Sequence, residues 1–246
     1  MTLTQKTKTF IILHGSWQSS EGWKTVADLM SHAGFPVMLI DLPGHGTQAD
    51  MGFHKINLQT YVNYVCQQVQ AIQRQTPVVL VAHSMSGMII SQVAQNIPIH
   101  QLMYISAFLP VNGECLLDIA KRSPVIGISK NMMINRIQKS INLDKNGIDK
   151  LFYNDCPPEV TQVALSRLQE EPLLPFYGHV RLTQEKFGRT PKVYIECLKD
   201  FTVCIELQRF MHSRWACTVQ TLDSGHAPFY AAPEQLARIL IHSLLE

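Results

Sequence analysis

The sequence predicts an α/β fold in which a mostly parallel sheet is flanked by helices and interrupted by an inserted helical cap. From Phe10 to Phe108, short apolar runs rich in β-branched residues alternate with longer stretches of helical period, which is typical of a parallel sheet. The alternation then gives way to mostly helical sequence with many methionines and prolines, and strand-like runs return near the C-terminus. We therefore expect a core formed by residues 1–109 and 190–246, with residues 110–189 as the cap.

Six strands and four core helices follow from these patterns. The strands are predicted at residues 10–13, 37–40, 78–82, 102–106, 192–197 and 217–222. Apolar residues at helical spacing mark the buried faces of three helices: Trp23, Val26, Ala27 and Met30; Leu58, Tyr61, Val62, Val65, Val69 and Ile72; and Leu236, Ile239, Leu240 and Leu244. Gly34 is placed to end the first helix, and Asn57 suits the N-cap of the second. Another helix should begin at Met85 and end near Asn96, since Pro98 cannot continue it.

Three helices are predicted within the cap. One should follow Asn112, and one should span residues 130–139. The third should begin at Pro157 and Pro158, because proline suits the first turn of a helix.

Composition narrows the classes of function. A chain of 246 residues, 46% of them hydrophobic, is long enough to bury a substantial core. A net charge of +2 without long basic runs argues against a nucleic-acid partner or a membrane-surface partner. Six dispersed cysteines, without a C-x-x-C pair or a zinc-like cluster, and a polar N-terminus unlike a signal peptide predict a reduced, cytoplasmic protein. Nothing in the sequence indicates the oligomeric state.

The run V-V-L-V-A-H-S-M-S-G, which ends at Gly87, predicts a nucleophilic serine on a sharp turn between a strand and a helix. Such a turn needs small residues two positions before and after the nucleophile. Ser84 meets this condition with Ala82 and Ser86, whereas Ser86 would have the bulky Met88 as a neighbour. We therefore expect Ser84 to be the nucleophile, although the motif departs from G-x-S-x-G at both glycine positions.

A candidate acid and a candidate base follow the serine along the chain. Asp200 comes just after the strand predicted at residues 192–197, and His226 lies in the loop D-S-G-H-A-P after the strand predicted at residues 217–222. A serine hydroxyl needs a histidine base, and the histidine needs an acceptor that fixes its tautomer. Because open α/β sheets build their sites at the carboxyl ends of strands, Ser84, Asp200 and His226 are the predicted triad.

Two backbone amides are predicted to form an oxyanion hole. One belongs to Met85, the residue after the nucleophile. The other belongs to Ser16 in the run L-H-G-S-W, where Gly15 lets the backbone approach a ligand.

The motifs jointly resemble the α/β-hydrolase superfamily. They are F-I-I-L-H-G-S-W near the N-terminus, D-L-P-G-H-G from Asp41, A-H-S-M-S-G from Ala82, Y-I-S-A-F-L-P from Tyr104 and G-H-A-P-F near the C-terminus. More narrowly, the chain resembles small esterases related to plant methylesterases and hydroxynitrile lyases, with salicylate-esterase-like and pyrethroid-hydrolase-like bacterial relatives. The resemblance implies a site between sheet and cap, the same triad and oxyanion hole, and neither a metal nor an organic cofactor.

Several further residues are candidates for the acid or for supporting roles. Asp41 follows a strand and could be the acid or a brace for nearby loops, and Asp223 suits a local backbone hydrogen bond. Glu114 and Asp118 are also candidates, because an acid after the strand predicted at residues 102–106 is a known arrangement in this superfamily. His14 and His83 are expected to pack and hydrogen-bond so that they hold their turns, and His45 is expected to be a loop residue.

The expected activity is that of a serine carboxylesterase acting on a small to medium hydrophobic ester through an acyl-enzyme. Trp17 and Phe108, beside the expected site loops, are candidates for the substrate pocket. A hydroxynitrile lyase is disfavoured, since those relatives carry threonine in place of Gly15 and lysine in place of Ala227. Two further functions fit the same motifs: a biosynthetic tailoring enzyme, and a small-molecule receptor that does not hydrolyse its ligand.

Overall fold

The computed structural model describes residues 8–245 of the chain. Within this range the strands are β1 (Thr9–Leu13), β2 (Val37–Ile40), β3 (Val78–His83), β4 (Gln101–Ile105), β5 (Met132–Asn135), β6 (Ser140–Leu143), β7 (Glu171–Pro172), β8 (Lys192–Cys197) and β9 (Thr218–Leu222). Six of them form a parallel sheet of order β2-β1-β3-β4-β8-β9. These are the six strands that the sequence predicts, each within one residue at either end, and the α/β prediction is confirmed.

Helices surround this sheet. The structure places them at α1 (Lys24–His32), α2 (Leu58–Ile72), α3 (Ser86–Asn96), α4 (Leu116–Ala120), α5 (Ile148–Phe152), α6 (Pro158–Ser166), α7 (Ile205–His212), α8 (Pro228–Ala231) and α9 (Pro233–Leu245). At the start of α2, the Asn57 side chain accepts the Thr60 amide at 3.0 Å and the Thr60 hydroxyl accepts the Asn57 amide at 3.2 Å, a reciprocal cap. In the described range, no helix combines the length and the apolar character that crossing a membrane would require.

Strand β3 lies near the middle of the large sheet. All six of its residues are buried, because β1 and β4 flank it and helices cover both faces. Each fully buried valine or leucine side chain contributes about 1.5–3 kcal/mol to stability. In register, Val81 of β3 lies between Ile12 of β1 and Met103 of β4. Since the strands are parallel, the loops after β3, β8 and β9 meet at one edge of this rigid sheet.

The segment between β4 and β8 differs in part from prediction. The helices after Asn112 and from Pro158 are present as α4 and α6. The helix predicted over residues 130–139 is wrong, because β5 and β6 form a hairpin there and β7 completes a three-stranded antiparallel sheet. The Asn135 side chain accepts the amides of Ile137 and Gln138 at 3.1 Å each, so a local turn replaces helical bonding.

Candidate active site

Ser84 occupies a strained turn between β3 and α3. Its φ is +53°, a left-handed conformation that costs a residue with a side chain about 1–3 kcal/mol. The Ser84 carbonyl accepts the amides of Gly87 at 3.2 Å and of Phe108 at 2.9 Å, which holds the turn. A Cβ on Gly87 would lie 2.2 Å from the Phe108 carbonyl oxygen, so the packing of this turn admits only glycine. The predicted turn is therefore present, with Ser84 at its apex.

Asp200 and His226 are brought together by the loops after β8 and β9. The Nδ1–H of His226 donates to Oδ2 of Asp200 at 2.7 Å, and both side chains are buried. The other carboxylate oxygen of Asp200 accepts the amides of Thr202 at 2.6 Å and Val203 at 2.9 Å. The Ser106 hydroxyl, at the end of β4, also donates to Oδ2. These donors fix the carboxylate, and the carboxylate in turn holds the His226 ring through Nδ1.

His83 connects the serine turn to the histidine loop. Its Nε2–H donates to the His226 carbonyl at 2.7 Å, and the two rings lie 4.6 Å apart. Burial, with a smaller contribution from His226, lowers the pKa of His83 well below its ordinary value, so the ring is neutral. His83 therefore acts as the support that the sequence predicts, and it ties the turn to the loop of His226.

The two predicted oxyanion donors flank the same space. Ser16 and Met85 both line the cavity that contains Ser84. Within residues 8–245, neither amide donates to a protein acceptor. The Ser86 hydroxyl donates to the His14 carbonyl, which ties the start of α3 to the loop that carries Ser16.

The cavity beside Ser84 has a volume of about 390 Å³ and mostly apolar walls. Trp17 and Phe108, the two predicted pocket residues, are among those that line it. Helices α4 and α7 contribute further apolar side chains, including Leu116 and Leu207. Among the lining residues that the structure describes, Lys121 is the only charged one, and it is exposed. This space suits an uncharged, hydrophobic molecule.

The alternative acids have other partners. Asp41 accepts the amides of Ser20 at 2.7 Å and Thr47 at 2.9 Å, which braces two loops. Although burial raises its pKa, these hydrogen bonds outweigh burial, and the pKa of Asp41 lies below its ordinary value. Its predicted role as a brace therefore agrees with the structure.

The remaining alternative acids are likewise engaged elsewhere. Asp223 pairs with Lys199 at 2.7 Å rather than with local backbone, so its expected local hydrogen bond is wrong. Glu114 binds Arg214 at 2.7 Å, and Asp118 accepts the Cys115 amide at 3.1 Å at the start of α4.

His14 and His45 are buried in adjacent loops. Nδ1–H of His14 donates to the Gly15 carbonyl at 2.8 Å, and Nε2 accepts the Leu42 amide at 3.1 Å, as expected of a supporting residue. Burial and the neighbouring His45 lower the pKa of His14 to about 3. His45 does lie in a loop, but its Nε2 contacts a buried Glu171 carboxylate at 3.0 Å.

Sequence reasoning missed three residues that support these loops: Ser106, Asp155 and Glu171. Ser106 follows β4 directly, and its position at a strand end is the signal that could have found it. Glu171 belongs to the run Q-E-E-P-L-L-P-F, where carboxylates precede an apolar stretch. Neither pattern indicates which loop the side chain contacts, because the hydrogen bonds of Ser106 and Glu171 join residues far apart in the chain.

Among the residues that the structure describes, one group of potential metal ligands lies outside this site. Cys115, Asp118 and His179 have donor atoms within 4.8 Å of one another. The first two form a reciprocal cap at the start of α4, which explains their proximity through helix capping. We assign no metal to them.

Comparisons with known proteins identify the family of this chain. A family model described as "Alpha/beta hydrolase family" matches residues 10–239. The chain is 23% identical over 252 residues to putative methylesterase 13, chloroplastic, of Arabidopsis thaliana, covering 96% of this chain but 56% of that protein. It therefore spans little more than half the length of that curated relative.

Two bacterial proteins match over most of their length. The chain is 27% identical over 257 residues to a pyrethroid hydrolase of Sphingobium wenxiniae, covering 98% of this chain and 87% of that protein. The crystal structure of a pyrethroid hydrolase from Sphingobium faniae superposes with a TM-score of 0.84 at 24% identity, covering 96% of each chain, which shows a shared fold. With a family model matching almost the entire chain, this protein belongs to the alpha/beta hydrolase family.

Proposed function

We propose that this chain is a serine carboxylesterase that hydrolyses a small to medium hydrophobic ester through an acyl-enzyme. The observation that carries the proposal is the buried hydrogen bond of 2.7 Å between His226 and Asp200, in a loop held against the strained turn of Ser84. A carboxylate that orients a histidine beside a serine hydroxyl is the arrangement that acyl transfer requires.

In the first half of the reaction, the Ser84 hydroxyl attacks the ester carbonyl while Nε2 of His226 takes its proton. The tetrahedral intermediate collapses, the bond to the alcohol breaks, and His226 gives the proton to the leaving alcohol. Asp200 stabilises the imidazolium during this exchange, through the Nδ1–H bond of 2.7 Å. The product of this half is an ester between the substrate acid and Ser84.

In the second half, a water molecule replaces the alcohol. His226 takes a proton from the water, the hydroxyl attacks the acyl carbonyl, and His226 returns the proton to Ser84 as the acid leaves. Both halves place negative charge on the carbonyl oxygen. The amides of Ser16 and Met85 are the proposed donors to this oxygen, and losing one such donor commonly costs about 3 kcal/mol of transition-state stabilisation.

The cavity supports a hydrophobic substrate class. Its volume of about 390 Å³ lies in the range of small-molecule sites, and apolar side chains dominate its wall. The names of the relatives, putative methylesterase and pyrethroid hydrolase, also support a hydrolase that acts on esters. The proposed partner is therefore a small-molecule ester, and neither a nucleic acid nor a membrane is proposed.

The contacts of Gly15 support ester hydrolysis over cyanohydrin cleavage. A Cβ at this position would lie 2.6 Å from Nδ1 of His83 and 2.9 Å from Cβ of Ser84. The threonine that hydroxynitrile lyases carry at this position could not enter without displacing the serine turn.

We also propose a cytoplasmic location, supported by six cysteines that are all free thiols in the structure.

The proposal is tested with p-nitrophenyl acetate and a fluorophosphonate probe. We expect turnover of the ester and covalent labelling of Ser84, both abolished in a folded Ser84→Ala variant. Ranking methyl, aryl and pyrethroid-like esters by kcat/KM then defines the substrate class. Absence of labelling in correctly folded wild-type protein would reject hydrolysis and favour a ligand-binding role.

A further inference from the structure

Trp17, the residue after the proposed oxyanion donor Ser16, is held by three contacts from outside its own loop. Its amide donates to Oε2 of Glu171 at 2.8 Å, and its indole Nε1–H donates to the Ile141 carbonyl at 3.0 Å. Its carbonyl accepts the Gln169 amide at 2.8 Å. All three partners come from residues 141–171, so this segment determines where the backbone of Trp17 lies.

The backbone of Trp17 needs this support. Its φ is +61°, a conformation that residues with side chains seldom adopt unless the surroundings impose it. The peptide unit that joins Ser16 to Trp17 contains the amide that binds Glu171. This unit is joined through the Cα of Ser16 to the neighbouring peptide unit that carries the Ser16 amide, so the bond to Glu171 fixes one side of Ser16.

The carboxylate of Glu171 is held in position to accept the Trp17 amide. Its side chain is fully buried, and its carboxylate accepts three donors. Oε2 accepts Trp17 N–H and the Nε2–H of His45 at 3.0 Å, and Oε1 accepts the Tyr61 hydroxyl at 3.2 Å. Within the described range, Nδ1 of His45 has no partner, so Nε2 is the ring nitrogen through which His45 contacts the carboxylate. His45 and Tyr61 thus hold the carboxylate in place, and neither competes as an acceptor for the Trp17 amide.

We propose that Glu171 is a positioning residue: it holds the Trp17 backbone, and through it the Ser16 amide, in the orientation that stabilises the oxyanion. The inference rests on the proposed esterase function, because an oxyanion forms only if the chain transfers acyl groups. It also gives the segment between β4 and β8 a role in the chemical step, in addition to enclosing the substrate. A purely structural role for Glu171 would affect stability without singling out the transition state.

Four variants distinguish these roles. Glu171→Ala removes the acceptor, and Glu171→Asp keeps the charge but withdraws the carboxylate by one methylene. Glu171→Gln is the rescue variant, since its amide oxygen can accept Trp17 N–H while its NH₂ group donates to the Tyr61 hydroxyl. Glu170→Ala is the matched control, because Glu170 binds Ser140 and Asn142 in the same small sheet and its carboxylate is not the one that accepts the Trp17 amide.

Each variant is assayed for kcat and KM with p-nitrophenyl acetate, and for its Tm. We expect Glu171→Ala and Glu171→Asp to lower kcat about 10–100-fold with KM within about threefold, since an oxyanion donor acts on the transition state. Glu171→Gln should stay within about threefold of wild-type kcat, and Glu170→Ala within about twofold. If Glu171→Ala does not fold, the comparison of kcat between Glu171→Asp and Glu171→Gln decides whether Glu171 is a positioning residue.

Three results would overturn the proposal. They are an unchanged kcat in folded Glu171→Asp, a loss in Glu171→Gln as large as in Glu171→Asp, and an effect confined to KM, which would assign Glu171 to the pocket wall. These outcomes require an active wild-type enzyme. A wild-type protein without turnover dependent on Ser84 would instead reject the esterase function itself, and with it any oxyanion hole to be positioned.

Discussion

The carboxylate of Asp155 accepts the amide of Gly225 at 2.7 Å, one residue before His226. The same oxygen accepts the Ser224 hydroxyl at 2.8 Å. Asp155 lies between α5 and α6, so the segment that encloses the cavity also holds the loop of the proposed base. A second contact supports this arrangement, because the Asn154 side chain donates to the Lys199 carbonyl, next to Asp200, at 3.1 Å.

Replacing Asp155 with alanine should reduce both activity and stability. The Gly225 amide loses its acceptor in a buried place, which costs about 1–3 kcal/mol. We expect kcat to fall about 10-fold, since the loop that orients His226 loosens. Urea unfolding and steady-state kinetics measure the two effects. Ser224→Ala, which removes one of the two contacts, should show a smaller effect, and equal activity in Asp155→Ala and wild type would refute the link.

Asp200→Asn should lower kcat about 10³–10⁴-fold while leaving the fold intact. The asparagine NH₂ group would face Nδ1 of His226 and favour the tautomer whose Nε2 carries a proton, so the base is lost. Steady-state kinetics measure the fall in kcat, and circular dichroism checks that the variant is folded. Asp41→Asn is the control, since Asp41 braces loops. A greater kcat loss in Asp41→Asn than in Asp200→Asn would contradict the assignment of the acid.

Gly15→Ala should be destabilised and poorly active. Its new Cβ would meet Nδ1 of His83 at 2.6 Å and Cβ of Ser84 at 2.9 Å, so one of these groups must shift. Overpacking of this kind costs about 1–3 kcal/mol. We expect a fall in Tm with kcat reduced at least about 10-fold. Gly52→Ala, in an exposed loop, controls for the added methyl group. Wild-type kinetics in Gly15→Ala would show that the site tolerates a side chain there.

Buried histidines should make the fold acid-sensitive. The pKa of His14 is lowered to about 3 from an ordinary 6.5, chiefly by burial, and that of His83 is also lowered well below 6.5. Above about pH 6.5 both rings are neutral in the folded and unfolded chains, so they add no pH dependence. Below it, the unfolded chain takes up protons that the folded chain does not, and stability is lost as the pH falls.

Each such histidine contributes a limiting slope of about 1.4 kcal/mol per pH unit. Urea unfolding measured between about pH 7.5 and pH 4.5 should therefore show a free energy of unfolding that falls by about 2–3 kcal/mol per unit at the acid end. His54→Gln, which alters an exposed ring, should leave the slope unchanged. A constant free energy of unfolding across this interval would contradict the neutrality of His14 and His83.

The sheet and the motif positions could be predicted because they depend on local patterns. Apolar runs mark the six strands within a residue, and the small residues around Ser84 mark its turn. The parallel sheet then explains why Asp200 and His226 meet, since both follow strands that end at one edge. Their catalytic roles are predictions that kinetic measurements on the variants test.

The contacts that support the site could not be predicted, because they join distant segments. Trp17 and Glu171 are 154 residues apart in the chain, and Asp155 and Gly225 are 70 apart. The helix predicted over residues 130–139 is wrong for a local reason, since a turn at Asn135 and the pairing of β5 with β6 produce a hairpin there. Local patterns thus specify elements, whereas the partners of buried polar groups emerge from tertiary packing.

The central claim is that Ser84 carries the acyl group during turnover. Rapid quenching of the enzyme with p-nitrophenyl acetate, followed by mass spectrometry of the Ser84 peptide, tests it most directly. We expect one acetyl group on Ser84, formed at least as fast as kcat, and loss of both adduct and turnover in folded Ser84→Ala. An acetyl group on another residue, or undiminished turnover in Ser84→Ala, would contradict the account.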